Sequence, residues 1–289
     1  MWKDLKAGFL MMVVLTVVTG LVYPALMTAV AQVVFRDQAN GSLVTVNGQV
    51  VGSRLIGQNF TKPEYFHPRA SAAGANGYDP TASGGSNLGP TSAKLFNGTT
   101  KIDDKTKAEV VDFDGIKDRI VHYCVDNDIP FESSKPLEMF KDAKGDLDDV
   151  KLIKAFNDSK DPLTFLPKAP LPADAVTGSA SGLDPDISPR NAELQAARVA
   201  RARGVAVTQI TDAIAQHTTP RTWGILGEPA VNVLELNLAL DGQFPQKVKA
   251  PTGSLFNGSR TRYVVEFYEP GELSRPGSPA PANRSRRAR

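Results

Sequence analysis

Two periodicities divide this chain. From Ala7 to Phe35 no side chain is charged, and Val, Leu, Met and Ala fill most positions. About 20 apolar residues cross a bilayer core, so this run predicts a transmembrane helix over residues 7–35 with some tilt. Small residues recur within it at helical spacing. Thr16 and Gly20 stand four apart, as do Ala25 and Ala29, a pattern that lets helices approach closely in lipid. The Tyr23-Pro24 step predicts a bend and a freed carbonyl. Thr16, Gly20, Tyr23 and Pro24 are therefore the expected positions for packing against another membrane helix.

Beyond the span the pattern is mixed. Ser42–Val51 alternates apolar and polar residues around Val46-Asn47-Gly48-Gln49, which predicts a β-hairpin. A loop-rich stretch follows, with Phe60, Tyr65 and Phe66 as its aromatic anchors. Short helical patterns occupy Ile116–Val125 and Leu147–Phe156. Ser188 before Pro189 fits a helix cap and first position, Ala192, Ala196, Val199 and Ala200 form a small-residue stripe, and Gly204 ends it. Thr208 is the expected cap of a second helix carrying Ile210, Ile214 and His217 on one face. Between Pro229 and Gly242 the leucines alternate like a strand, yet Val231, Leu234 and Leu238 share a helical face; helix is the expected state. The Pro/Arg-rich tail, residues 270–289, is expected to be disordered.

Charge sets orientation. Lys3 and Lys6 precede the span, and basic residues beside a span favour the cytoplasm. Residues 1–6 are thus expected inside, the span at 7–35, and the rest of the chain outside the cytoplasm. Ala29-Val30-Ala31 has the form of a signal cleavage site, but the apolar run is about twice the 7–15 residues of a signal core. A retained anchor is expected: mass analysis of the mature protein should find its amino end at or near Met1, and an end at Gln32 would overturn this.

The net charge of +2 gives no global basic field for nucleic acid. With one cysteine, Cys124, the chain has no internal disulfide. The region around 98–172 carries 12 Lys and Arg against 16 Asp and Glu (counted over 97–172), so it reads as an acidic insertion. It separates a first extracytoplasmic part, 36–97, from a second, 173–269. The fold class expected is one N-terminal transmembrane helix followed by a mixed α/β extracytoplasmic domain with that insertion.

Catalytic signals are sparse. Gly52 to Gly57 has the glycine spacing of a phosphate-binding loop, but Gln58 and Asn59 stand where Lys and Ser/Thr are needed. There is no nucleophile elbow. The spacing of His67, His122 and His217 asks for no metal site. Arg198, Arg201 and Arg203 read as a solvated helix face. What remains is a pair of glycine-rich loops, "GYDPTASGGSNLGP" (77–90) and "TGSASGLDPDISP" (177–189). Such turns serve either as tight connections or as surfaces whose amides and hydroxyls bind a partner. Asp79, Ser83, Ser86, Asn87 and Asp184 are the candidate docking residues. No residue is a candidate for catalysis or for binding a cofactor or metal.

Several of these pieces, in order, carry a resemblance: "GLVYP", "VGSRLIGQNF", "YFHPRASA", "GYDPTASGGSNLGPTS", "SGLDPDISP", "ARVARARG" and "LGEPAVNVLELNLALDG". Together they resemble the KdpC family, the C subunit of the Kdp potassium-transporting P-type ATPase of bacteria and archaea. His67-Pro68-Arg69-Ala70-Ser71 departs from the family's Arg-Pro-Ser-Ala, and the acidic stretch is longer than the family's connection. The resemblance implies a non-catalytic, single-pass subunit of the cytoplasmic membrane. Its partners would be a potassium-translocating and an ATP-hydrolysing subunit, with ATP and K+ handled by the complex. It also implies a role in assembly and stability, with a proposed rise in the hydrolysing subunit's ATP affinity. Ser83–Asn87 ("SGGSN") is similar to the ATP-contacting signature of ABC transporters, but the orientation places it away from cytoplasmic ATP, so any nucleotide effect is expected to be indirect. The competing class is a membrane-anchored extracytoplasmic enzyme or solute-binding protein.

Overall fold

A computed structural model describes residues 2–132, 137–142, 144–158 and 165–245. The expected tail at 270–289 lies outside them.

Helix α1, Trp2–Val34, is long and apolar enough to cross a membrane, and none of its most apolar window is buried against the rest of the chain. It is not regular throughout. Val18–Val22 form a π-helical turn, in which the Tyr23 N–H bonds the Val18 carbonyl. Pro24 explains the change: it has no N–H for the Gly20 carbonyl, and its ring crowds the preceding turn. The Thr19 hydroxyl donates to the Leu15 carbonyl at 2.7 Å. A short helix, α2 (Arg36–Ala39), leads out.

The predicted hairpin is present as β1 (Leu43–Val46) and β2 (Gln49–Ser53), antiparallel. Asn47 and Gly48 both take positive φ, 51° and 79°, as a two-residue turn of matching twist requires.

Helix α3 (Ala93–Asn97) opens a small unit of its own. Strands β3 (Thr99–Ile102) and β4 (Glu109–Phe113) pair antiparallel. Helix α4 (Ile116–Asp126) contacts α3, and helix α5 (Asp149–Asp158) contacts both strands and α4. Val121, Leu152, Phe156 and Phe165 fill its core. The rings of Phe131 and Phe140 each meet Phe165 edge-on at 5.6 Å.

The larger core belongs to the C-terminal half. Three short strands, β5 (Asp186–Ile187), β6 (Thr218–Thr219) and β7 (Ala230–Asn232), pair antiparallel in the order β5-β7-β6. Helices α6 (Pro189–Arg203), α7 (Val207–Gln216) and α8 (Val233–Gln243) complete it. Ala192, Ala196, Val199 and Ala200 meet Ile210, Ile214, Val231, Leu236 and Leu240 there, together with Phe66 from the loop region. Ser188 caps α6 by accepting from the Asn191 N–H, and Gly204 closes it at φ 68°.

Three expectations need correction. Thr208 is not a cap: α7 starts after Ala206, whose N–H is held by the Gln209 side chain at 3.1 Å. The segment from Pro229 is neither all helix nor all strand. Ala230–Asn232 pairs in the sheet, then the Asn232 side chain accepts from the Glu235 N–H and starts α8. The arginine run is not a solvated face. Arg198 is 5% exposed and the Arg203 side chain 0%, while only Arg201 reaches solvent, pairing with Asp128.

Candidate functional site

The stretch from Gln58 to Ala73 has no strand or helix, so its buried backbone groups need side-chain partners. Four supply them. The Asn237 amide accepts from the Phe66 N–H at 2.8 Å and donates to the Phe66 carbonyl at 3.0 Å. Gln195 does the same for His67, at 2.7 and 3.1 Å. Arg198 donates to the carbonyls of Pro63 (2.7 Å) and Tyr65 (2.9 Å), to Gln195 (2.7 Å) and to Asn127 (3.0 Å). Arg203 donates to the carbonyls of Glu64 and Phe244, pairs with Asp241 at 2.9 Å, and lies over the Tyr65 ring. Burial, and next the charge of Asp241, push the Tyr65 phenol up to about 12. Burial first, and Arg198 second, lower the pKa of His67.

This loop then holds the second glycine-rich loop. Arg69 pairs with Asp184 at 2.7 Å and donates to the Gly178 carbonyl, while the Ser71 hydroxyl donates to the Gly182 carbonyl at 2.6 Å. The two glycine loops also lock to each other directly. The Gly84 N–H bonds the Ser181 carbonyl at 2.8 Å, and the Ser83 hydroxyl donates to the same carbonyl at 3.0 Å. Gly57 joins from the hairpin side through the Leu183 carbonyl at 2.9 Å. Tyr78 sits beneath, donating to the Arg69 carbonyl at 2.8 Å; burial raises its phenol above the usual range.

The five docking candidates therefore divide. Asp184 is occupied by Arg69 and Ser83 by Ser181, both within the chain. Asp79 accepts from the Thr81 N–H and hydroxyl, a local turn whose hydroxyl bond holds the carboxyl below its ordinary range. Ser86 and Asn87 are exposed, and neither side chain hydrogen-bonds another of the described residues. Asn87 takes φ 54°. Ser86 also lines a cleft of about 150 Å³ with Ser71, Leu88, Leu95 and Arg119. Of the helix positions, Thr16, Gly20, Tyr23 and Pro24 all lie exposed on α1.

One surface was not anticipated. Thr222 and Leu226 bridge a tight turn in which Trp223 (φ 54°) is 86% exposed, Ile225 74% and Leu226 52%. Arg221 and Glu228 clasp its base at 2.5 Å. A tryptophan and two branched aliphatics grouped in solvent mark an interaction surface more than a monomer's skin. The signal was legible: "RTWGILGEP" sets large apolar residues among turn formers with no period that would carry them into a core.

No histidine bonds a serine, threonine or cysteine side chain among the described residues. His67 Nε2 meets the Lys62 carbonyl and Arg198, His217 Nδ1 meets the Ala213 carbonyl, and His122 Nε2 meets Asp149 at 2.7 Å. His122 and Asp149 are joined by Asp118, the one grouping of the described residues whose donors suit a metal ion.

The family model of KdpC, described as the c chain of the K+-transporting ATPase, matches residues 5–117 and 144–242. The chain belongs to the KdpC family. It is 44% identical to a potassium-transporting ATPase KdpC subunit of Koribacter versatilis, over 85% of this chain and 97% of that one. The subunit of Gemmatimonas aurantiaca is also 44% identical, over 83% and 94%, and that of Mycobacterium tuberculosis 42%, over 83% and 99%. The match to KdpC includes α1, both glycine loops and the exposed 222–226 turn. It leaves residues 118–143 between its two parts, a stretch that begins at Asp118 and contains His122 and Cys124.

Proposed function

We propose that the chain is a non-catalytic subunit of a potassium-transporting ATPase complex, anchored by α1 and docked through its exterior domain on partner subunits. The observation that carries this reading is how apolar exposure is distributed. The glycine loops engage polar groups on each other and on the 57–73 stretch, whereas α1 and the 222–226 turn leave large apolar side chains uncovered. Those are surfaces for other chains and for lipid. Lys3 and Lys6 support an orientation with the bulk of the chain outside the cytoplasm. In that orientation, assembly and stabilisation of the complex are direct roles, and an effect on ATP affinity is transmitted through the hydrolysing subunit. Potassium and ATP are bound by the partners, a translocating subunit and the ATP-hydrolysing one. The glycine loops take part through Ser86 and Asn87, while Asp79, Ser83 and Asp184 shape the surface that presents them.

The test is co-purification. A buried aromatic anchor at an interface costs about 2 kcal/mol or more on truncation, whereas a rim contact costs little. Trp223→Ala combined with Ile225→Ala should cut recovery of the partner subunits and potassium-limited growth, with circular dichroism and melting of the full chain unchanged. Asn87→Ala should act in the same direction more weakly. Unchanged recovery and growth for both variants would refute docking through these surfaces.

A further inference from the structure

We propose that Asp118, His122 and Asp149 form a binding site for one divalent first-row transition cation, with zinc the ion its donors fit best. Asp118 and His122 stand four apart on α4, so they project from one face of the helix, and Asp149 opens α5 opposite them. One donor atom from each lies within 4.8 Å of the other two. Metal–ligand bonds of about 2.0–2.2 Å would draw such a set together by side-chain rotations on the order of an ångström.

A second feature points to a ligand. Asp118 is 3% exposed, yet its Oδ1 has no hydrogen-bond partner among the described residues. A buried carboxylate oxygen without a donor is costly, and a cation would meet that need. Burial also raises the Asp118 pKa to about 7, and the hydrogen bond to Asp149 raises that of His122. The donor set narrows the ion. Calcium and magnesium favour all-oxygen shells, while an imidazole with two carboxylates suits zinc and its neighbours. Cys124, also on α4, is not among the donors that come together here. Three protein ligands leave one position for water. Occupancy would tie α4, which lies almost wholly in the 118–143 stretch unmatched by the family model, to α5 in the matched part.

The test uses the untagged full-length chain in detergent, stripped with chelator and titrated with ZnCl2 by calorimetry, and with CoCl2 by visible absorption. One equivalent should bind, and the melting temperature should rise by about 5 °C at a hundredfold excess of zinc over its Kd. Asp118→Asn and His122→Gln should each weaken binding at least tenfold and abolish the cobalt bands. Asp114→Asn, whose carboxylate is engaged by Arg119, should leave both intact. No binding by the parent chain, or binding that survives both site variants, would overturn the proposal and leave the trio as a hydrogen-bonded contact between helices. Should Asp118→Asn lose its helical spectrum, His122→Gln decides alone.

Discussion

Replacing Arg198 with alanine should cost the folded chain about 3 kcal/mol or more, the largest loss expected from any single truncation here. The guanidinium answers four separate acceptors: the Pro63 and Tyr65 carbonyls, the Gln195 amide oxygen and the Asn127 amide oxygen. Each acceptor left buried and unpaired costs about 1–3 kcal/mol, offset in part because the buried charge itself is no longer desolvated. Asn127 ends α4, Pro63 and Tyr65 lie in the irregular 58–73 loop, and Gln195 lies on α6, so three parts of the chain lose a common tie. Lysine should not rescue, since a single ammonium cannot span acceptors arranged around a planar fork. Denaturant unfolding of the full chain in detergent, followed by far-UV circular dichroism, measures the loss. A change below about 1 kcal/mol for alanine would show that water replaces the arginine and that the hub is not structural. The same geometry bears on the 98–172 region. Asn127 and Tyr123, which donates to Asn191 at 2.8 Å, attach it to α6, so excising it whole would remove partners of the main core.

Gly182→Val should be nearly as damaging. Gly182 has φ 67°, where a β-branched residue is strained by about 1–3 kcal/mol. A Cβ there would also stand 2.7 Å from the Gly84 carbonyl oxygen and 2.8 Å from the Ala73 Cβ. Neither neighbour can swing aside, as one is backbone and the other is buried. Overpacking adds about 1–3 kcal/mol, so a combined loss of about 3 kcal/mol is expected. The readout has two channels. If the loops exist chiefly to support each other, melting temperature and partner recovery fall together. A variant that melts like the parent but no longer recovers its partners would instead make the interlock itself the docking surface, and the division drawn between Ser83 or Asp184 and Asn87 would fail.

What the sequence disclosed follows from how local each signal is. The apolar run, the Asn47-Gly48 turn, the Ser188 cap and the Gly204 stop are set by neighbours within a few residues, and all four appear where expected. Family motifs named the fold's relatives because they run in order along most of the chain. The arginine run was misread for a physical reason. Its polar partners are carbonyls of an irregular loop more than 130 residues away, and no periodicity reports a backbone that needs donors. The same distance hid the interlock of the two glycine loops, which lie about a hundred residues apart in sequence. The Asp118–His122 pair was within reach, since i and i+4 share a helical face, but its third member lies 27 residues beyond His122.

The π-turn in α1 has a consequence for rotational phase. On an uninterrupted helix at about 100° per residue, Ala25 would point about 180° away from Thr16, and Ala29 about 180° from Gly20. The two small-residue rows would then mark opposite flanks. A turn that takes in one additional residue retards everything after it by roughly 100°. Ala25 and Ala29 are thereby brought to about 80° from the Thr16–Gly20 row. The two rows now face adjoining quadrants, so two neighbouring helices that touch each other can both lie against this one, which a straight helix with the same residues would have held apart.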